Sequence, residues 1–434
     1  MSEKSAIIIG AGVIGCAIAL QMRRAGYGVV NVDKNPGPGY GSTSASCAIV
    51  RFSYSTYDSV ALAYEGYHYW KDWPGFIGST LESGFARFVE TGHLVFKTHP
   101  EDRAQTSRLY DQIGIAYENW SMARVAARMP FLELGRLGPP RRLDDEHFFD
   151  PPHGELPGAI YLPQGGYVND PQLAARNLYD AARAAGGDFL FNRKVVEILR
   201  EEGRAAGVRL QDGAILKADV VINVGGPHSA QINRMAGVDA DMLIATRALR
   251  REVHHFPSPE SFDYEHEGLV ISDSDAGVYF RPELGNQISV GSTDPECDEK
   301  VWVDDADDFN RDITDLAWRT QAYRLARRAP ALPIPNQGRG VVDLYDVADD
   351  WTPIYDRSAL PGFYMAIGTS GHQFKNAGVV GQMMSELVSA CEAGLDHDRT
   401  PYAFKGGYSG LSINVGAFSR RRALNTASSF SVRG

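Results

Sequence analysis

The sequence predicts an α/β protein in which a Rossmann-like domain is interrupted by an inserted α+β domain carrying a large mixed or antiparallel sheet. Three observations carry that prediction. Residues 5–33 read as strand, glycine-rich turn, helix and a second strand ending in a carboxylate. Short apolar strands of the same character return at 219–226 and 362–368, so the parallel sheet is left twice and re-entered twice. Between the last two returns, residues 245–295 read as sheet-rich.

The opening stretch follows from its residues. Ala6-Ile7-Ile8-Ile9 is wholly apolar, long enough for a buried strand and too short to span a membrane. It breaks into Gly10-Ala11-Gly12-Val13-Ile14-Gly15, after which Ala17, Ile18, Leu20 and Met22 fall on or near one helical face until Gly26. In such a turn the first glycine allows the tight bend and the second lets backbone approach a pyrophosphate. The third lets helix and strand pack closely. The helix N-terminus offers free N–H groups and a partial positive charge. Val29-Val30-Asn31-Val32 ends in Asp33, 18 residues after Gly15, where a carboxylate accepts hydrogen bonds from a ribose diol. Another kind of βαβ unit could carry a glycine-rich turn. Strand, helix and acid together favour dinucleotide binding, with Gly10, Gly12, Val13, Ile14, Gly15, Asp33 and Lys34 as contacts.

Residues 35–46 are rich in Gly, Pro and small polar residues. This loop reads as a segment running along the cofactor, with Gly41, Ser42, Thr43 and Ser44 offering hydroxyl and N–H groups. A plain solvent loop is the other reading. A helix is predicted over 59–73, strands over 85–98 and two helices over 101–130. A Pro-, Asp- and Gly-rich connection follows over 131–160. Pro171 opens a helix to about 185, followed by strands over 188–200, 206–210 and 214–217. Val195, in the first of these strands, joins the cofactor contacts. The strand from 219 ends in Gly225-Gly226, also placed at the cofactor. A helix over 308–328 and a Pro-rich 330–336 precede the last return. That return runs into Thr369-Ser370-Gly371-His372-Gln373-Phe374-Lys375 and a helix to about 393.

Composition excludes some functions. The 434 residues suffice for two domains, and a net charge of −11 argues against a nucleic-acid partner. No apolar run approaches the roughly 18 residues of a membrane span. The first strand starts almost at once, with no basic n-region and no cleavage site, so no secretory signal and a cytoplasmic location are expected. Cys16, Cys47, Cys297 and Cys391 are scattered without metal-ligand spacing, and no metal is expected.

A nicotinamide enzyme usually completes its fold in one block. The two departures instead fit an FAD-binding domain (1–85, 155–242 and 336–400) with a substrate domain built from the insertions (86–154 and 243–335) and a tail, 401–434. Five motifs then carry a resemblance: Gly10/Gly12/Gly15, Gly41-Ser42-Thr43-Ser44, Gly166-Tyr167-Val168, Asn223-Val224-Gly225-Gly226, and Gly368 to Lys375. Over about residues 5–395 the chain resembles the D-amino acid oxidase–like flavoproteins (GR2-type), most closely the branch of monomeric sarcosine oxidase, glycine oxidase and dimethylglycine dehydrogenase. The tail has no counterpart.

The resemblance implies FAD-dependent oxidation of the C–N bond of a small secondary or tertiary amine carrying a carboxylate, of the sarcosine or iminodiacetate type. The imine would hydrolyse to an aldehyde or oxo acid plus an amine, with electrons passing to O2 or to a quinone or electron-transfer partner. Gly371, His372, Gln373, Phe374 and Lys375 would open a helix whose N–H groups stabilise the charge gathered on the reduced flavin. An ordinary helix cap is the other reading of Ser-Gly-His. Arg51 and Lys375 match the residues that hold the substrate carboxylate, Arg by a bidentate grip and Lys as a point charge. Pairing with structural acids is the alternative. Tyr279 matches a pocket tyrosine, against a plain core aromatic, and His372 is the one motif-linked base. Arg247, Arg250 and Arg251 lie on a strand over the flavin, with Arg247 and Arg251 on one face and Arg250 on the other. One of them could take a second carboxylate; a solvated strand edge is the other reading.

The sequence also departs from the family. Asp343 and Ala45 stand at the two places where relatives attach the flavin, and Cys47 is offset, so noncovalent FAD is expected. Ser289 stands where a lysine assists oxygen, and Thr293 where a histidine lies nearby, which makes a dehydrogenase an alternative to an oxidase. Oxidation of 2-hydroxy acids or D-amino acids on the same fold is a second reading. A flavoprotein assembly factor without turnover is a third, and it would be expected to lose the carboxylate-binding pair.

Overall fold

The computed structural model describes residues 4–433; residues 1–3 and 434, at the outer ends of the first and last predicted segments, lie outside the described residues. One sheet runs in the order Asp188–Leu190, Gly28–Val32, Ser5–Ile9, Val220–Asn223, Phe363–Ile367 and Ile354–Arg357. Every neighbouring pair is parallel except the last. The central position of Ser5–Ile9 explains its unbroken apolar run, because a strand covered on both faces has no solvent side to mark by alternation. The helices Val13–Arg24, Pro171–Ala184 and Ala377–Glu392 pack together against this sheet. Gly381 makes the closest approach possible, since a Cβ there would lie 2.7 Å from the carbonyl of Ala17.

A second, larger sheet runs Trp302–Val303, Thr246–Pro257, Gln287–Ser292, Val278–Glu283, Val270–Asp273, His93–Phe96, Ala159–Leu162 and Glu118–Trp120. Gly340–Ala348 adds to it by pairing with residues 246–254 of Thr246–Pro257. It is mixed, as predicted: His93–Phe96 and Val270–Asp273 are parallel and the other pairs antiparallel. The helix Asp315–Arg328 covers it, with Arg328 fully buried between Asp273 and Asp275.

Four elements differ from the sequence reading. The helix expected from 308 begins at Asp315, because the Thr314 hydroxyl accepts from the Ala317 N–H and caps it there. The strand expected over 188–200 is two strands in two sheets, broken where Asn192 takes a left-handed φ of 55°. Ala159–Leu162 and Gly340–Ala348, both read as parts of FAD-binding segments, hydrogen-bond within the large sheet. The tail is packed. Its hairpin Ala403–Lys405/Ser412–Asn414 lies on the helix Tyr57–Lys71, and Arg420 is buried among Asp356, Asp398 and Asp241. Arg422 pairs with buried Asp350. The basic run is thus an anchor for the tail.

Candidate active site

A cavity of about 320 Å³ lies between the C-terminal ends of the parallel strands and the inner face of the large sheet. This is where an open parallel sheet leaves room for a ligand. At one end it is lined by the glycine turn, Asp33 and the loop 40–43; at the other by Arg51, Tyr279 and Lys375.

The first end is built from backbone. Gly10 has φ 113°, and a Cβ on it would lie 2.3 Å from the Val224 carbonyl. A Cβ on Gly15 would lie 2.0 Å from the Gly10 carbonyl, so neither position accepts a larger residue without moving strand or helix. The helix Val13–Arg24 starts at Gly12 with no side-chain cap and no acid in its first turn, leaving its positive end toward the cavity. Thr43 Oγ1 accepts from the Val13 N–H at 3.1 Å and ties the loop to that helix start. Asp33 accepts from Ala11 N (2.6 Å) on one oxygen and Asn35 N (2.7 Å) on the other, and each oxygen keeps a lone pair for a ribose hydroxyl. Burial pushes its carboxyl above the usual range despite those two N–H groups. Lys34 closes this end by contacts to His228 and Asp307. These features fit the adenosine diphosphate portion of FAD.

The second end gathers buried positive charge. Arg51 is 8% exposed and donates to the carbonyls of Ser53 (2.6 Å) and Val432 (2.5 Å). Lys375 is 1% exposed, and its Nζ donates to Tyr54 Oη and the His372 carbonyl, each at 2.5 Å. Among the described residues neither has a carboxylate within ion-pair distance. Burial, and then the charge of Arg51, hold Lys375 well below its usual ammonium value. Two buried cations without an acid cost free energy that a bound anion would recover. The segment Gly371–Lys375 lines the same end, and the helical turn that starts at Phe374 has no side-chain cap.

The cavity brings together Gly10, Gly12, Val13, Ile14, Gly15, Asp33, Lys34, Gly41, Ser42, Thr43, Val195, Gly225, Gly226, Arg51, Tyr279 and Gly371 through Lys375. Tyr279 is 8% exposed, with its hydroxyl 3.6 Å from Cys47 Sγ. Four expectations are corrected. Ser44 is exposed and its hydroxyl closes its own turn onto the Gly41 carbonyl. Arg247 is exposed and stacks on Trp302 outside the cavity. Arg250 is spent on Glu252 and on the carbonyls of Asn310 and Asp312. His372 is no free base: Nε2 lies 2.9 Å from the Trp351 carbonyl, which requires a proton on that nitrogen. Its Nδ1 then accepts from Gln373 Nε2 (2.8 Å), with Tyr54 Oη 3.2 Å away. Burial, Lys375 and Arg51 keep the ring well below the usual imidazole range. Arg251 does line the cavity but is paired with Asp294.

Sequence reasoning missed Tyr54, Tyr345, His93, Arg103 and Arg433, all at this end or touching it. Tyr345 shares a strand face with Asp343 by alternation, and Tyr54 follows Arg51 on the same loop, so both had a local signal. Arg103 and Arg433 had none.

A family model described as DAO, FAD dependent oxidoreductase, matches residues 5–387. The chain is similar to the tRNA 5-methylaminomethyl-2-thiouridine biosynthesis bifunctional protein MnmC of Cupriavidus necator, 26% identical over 235 residues, covering 53% of this chain and 32% of that protein. It thus matches about a third of that relative's length. Among solved structures, L-proline dehydrogenase from P. horikoshii is similar with a TM-score of 0.75 at 20% identity, covering 97% of this chain and 98% of that one. Iminodiacetate oxidase from Chelativorans sp. BNC1 is similar with a TM-score of 0.68 at 18% identity, covering 91% and 98%. At these identities the likeness is one of fold.

Proposed function

The chain belongs to the DAO family of FAD dependent oxidoreductases, and from that premise we propose that it oxidises the C–N bond of a small secondary or tertiary amine bearing a carboxylate. The observation that supports this is the pair Arg51 and Lys375, two buried cations on one cavity with, among the described residues, no acid at ion-pair distance.

The chain's own residues supply binding and electrostatics. Arg51 has five N–H donors and spends two on Ser53 and Val432; Lys375 has three and spends two. The remaining donors come from two different elements and can fix one carboxylate, and with it the carbon between carboxylate and nitrogen. The same positive field disfavours an ammonium in the pocket, so the substrate nitrogen binds as the free amine, the form that can be oxidised. His372, its tautomer set by Trp351, positions Tyr54 and through it Lys375. FAD, when bound, supplies the two-electron acceptor. The turn Gly10–Gly15, Asp33 and Thr43 would hold its adenosine side and Gly371–Lys375 its ring, noncovalently, since Asp343 and Ala45 offer no thiol or imidazole.

Oxidation of a 2-hydroxy acid would need a positioned base. The commitment of both His372 nitrogens favours the amine reading over that one. The test is anaerobic mixing of the holoprotein with N-substituted glycines, proline, D-amino acids and 2-hydroxy acids. Bleaching of the flavin by members of the first two groups supports the reading, and bleaching by 2-hydroxy acids alone overturns it.

A further inference from the structure

Beyond Arg51 and Lys375, the cavity continues to two more cations that no acid fully neutralises. Arg103 and Arg433 both line it, together with His93. Arg103 precedes the helix Ala104–Ile113 in a left-handed conformation, φ 71°, which a non-glycine residue holds only when its surroundings enforce it. Its Nε is buried without a hydrogen-bond partner; Asp102 Oδ1 lies 3.4 Å away but outside bonding geometry. The other Asp102 oxygen is taken by the backbone N–H and hydroxyl of Thr98. His93 is fully buried, and its Nδ1 also lacks a partner.

Arg433 reaches the cavity because the tail is fastened ahead of it. Arg420 and Arg422 anchor the segment on buried acids, and Val432 is then tied in by its N–H to Asp294 and by its carbonyl to Arg51. Among the described residues Arg433 itself donates to hydroxyls, Ser274 Oγ at 2.8 Å and Ser431 Oγ at 3.2 Å. Burial and the neighbouring Arg103 push it down to about 10, so it stays cationic at neutral pH. Arg251, the remaining arginine nearby, is already neutralised by Asp294. Among the described residues, Arg51, Lys375, Arg103 and Arg433 thus face Asp102 alone.

We propose that Arg103 and Arg433 form a second anion subsite, so that the substrate is an amine with two carboxylates, one held by Arg51 and Lys375 and the other at the end closed by the tail. This rests on the amine reading above. It also moves the second-carboxylate role from the Arg247–Arg251 strand to residues from two distant parts of the chain. A diacid of the N-carboxyalkyl amino acid type brings a second negative charge to this end, whereas a monoacid leaves Arg103 and Arg433 to share Asp102.

The test uses unreactive acids, so that binding is read apart from turnover. The holoprotein is titrated with propionate, butyrate and pentanoate, and with malonate, succinate and glutarate, following the flavin spectrum. The parent should bind at least one diacid about 10-fold or more tighter than the monoacid of equal chain length. Arg103→Gln and Arg433→Gln should each remove most of that preference with far less effect on the monoacids, and Arg433→Lys should keep part of it. Flavin content of each variant checks that it is folded. Monoacid binding with no diacid preference in the parent, or a preference that survives both Gln variants, overturns the second subsite alone. Failure of every acid to bind overturns the reading of Arg51 and Lys375 as well.

Discussion

Replacing Lys375 by Met removes a charge that the free protein holds at a cost and that a bound carboxylate would use. Lys375 is 1% exposed, and its Nζ makes two 2.5 Å bonds to neutral oxygens and has one N–H to spare. A charge-assisted hydrogen bond is worth about 1.5–3 kcal/mol, so Lys375→Met should weaken acetate binding about 10- to 100-fold, and Arg51→Met similarly. The rate of anaerobic flavin reduction should fall too, because the same carboxylate places the reacting carbon. Flavin content should stay intact, and thermal stability of Lys375→Met should not drop, since no acid loses its partner. A proton count makes the test sharper. Burial and Arg51 depress the Lys375 value in the free protein, and an anion at the site raises it again. At pH above that depressed value acetate binding should therefore take up a proton, and affinity should weaken as pH rises further. Lys375→Met should show neither effect. Unchanged affinity in both single variants, or acetate binding that takes up no proton at any pH in the parent, would refute the reasoning.

Other outcomes follow from neighbouring residues. Acid precipitation should release all the yellow colour, because Asp343 and Ala45 stand at the attachment places; colour left on the protein would point to Cys47, whose Sγ lies on the cavity. Reoxidation by air should be slow beside reoxidation by a quinone or dye. Ser289 is buried behind Cys47 at 3.8 Å, and two arginines of that face, Arg251 and Arg281, are paired with Asp294 and Glu283. A stopped-flow oxygen rate matching the dye rate would contradict this. Burial raises the Asp346 carboxyl to about 7 from an ordinary 3.8, against the Gly368 N–H and the Ser229 hydroxyl it accepts from. Its contribution to stability is therefore complete below the ordinary value and is lost as pH rises through about 7. Asp346→Asn should flatten the fall of the melting temperature over that interval, and an identical pH profile would refute the assignment.

What could be read from the chain was local. Gly10, Gly15 and Asp33 act on neighbours in one βαβ unit, and the steric reasons given for the glycines are the clashes a Cβ would meet. Arg51 and Lys375 lie far apart in sequence and were legible only through a resemblance. Alternation separated Arg250 from Arg247 and Arg251, yet the partner that occupies Arg250 is Glu252, two residues on and on the same face, a signal that was present and unused. The same holds for Thr314, a helix cap that places the start of Asp315–Arg328. Nothing local marks Arg433: its place depends on Arg420 and Arg422 finding acids contributed by residues 241, 350, 356 and 398.

The central claim is that a positive pocket reads a carboxylate and so presents the adjacent C–N bond for oxidation. Its most direct test pairs each open-chain amine that bleaches the flavin with the same amine carrying an uncharged amide in place of the carboxylate. The products of a single anaerobic turnover are identified in each case. The acid should reduce the flavin and yield one equivalent of aldehyde or oxo acid with the smaller amine, while its amide should reduce it at least about 10-fold more slowly. Equal rates for acid and amide, or a product with its C–N bond intact, would contradict the account.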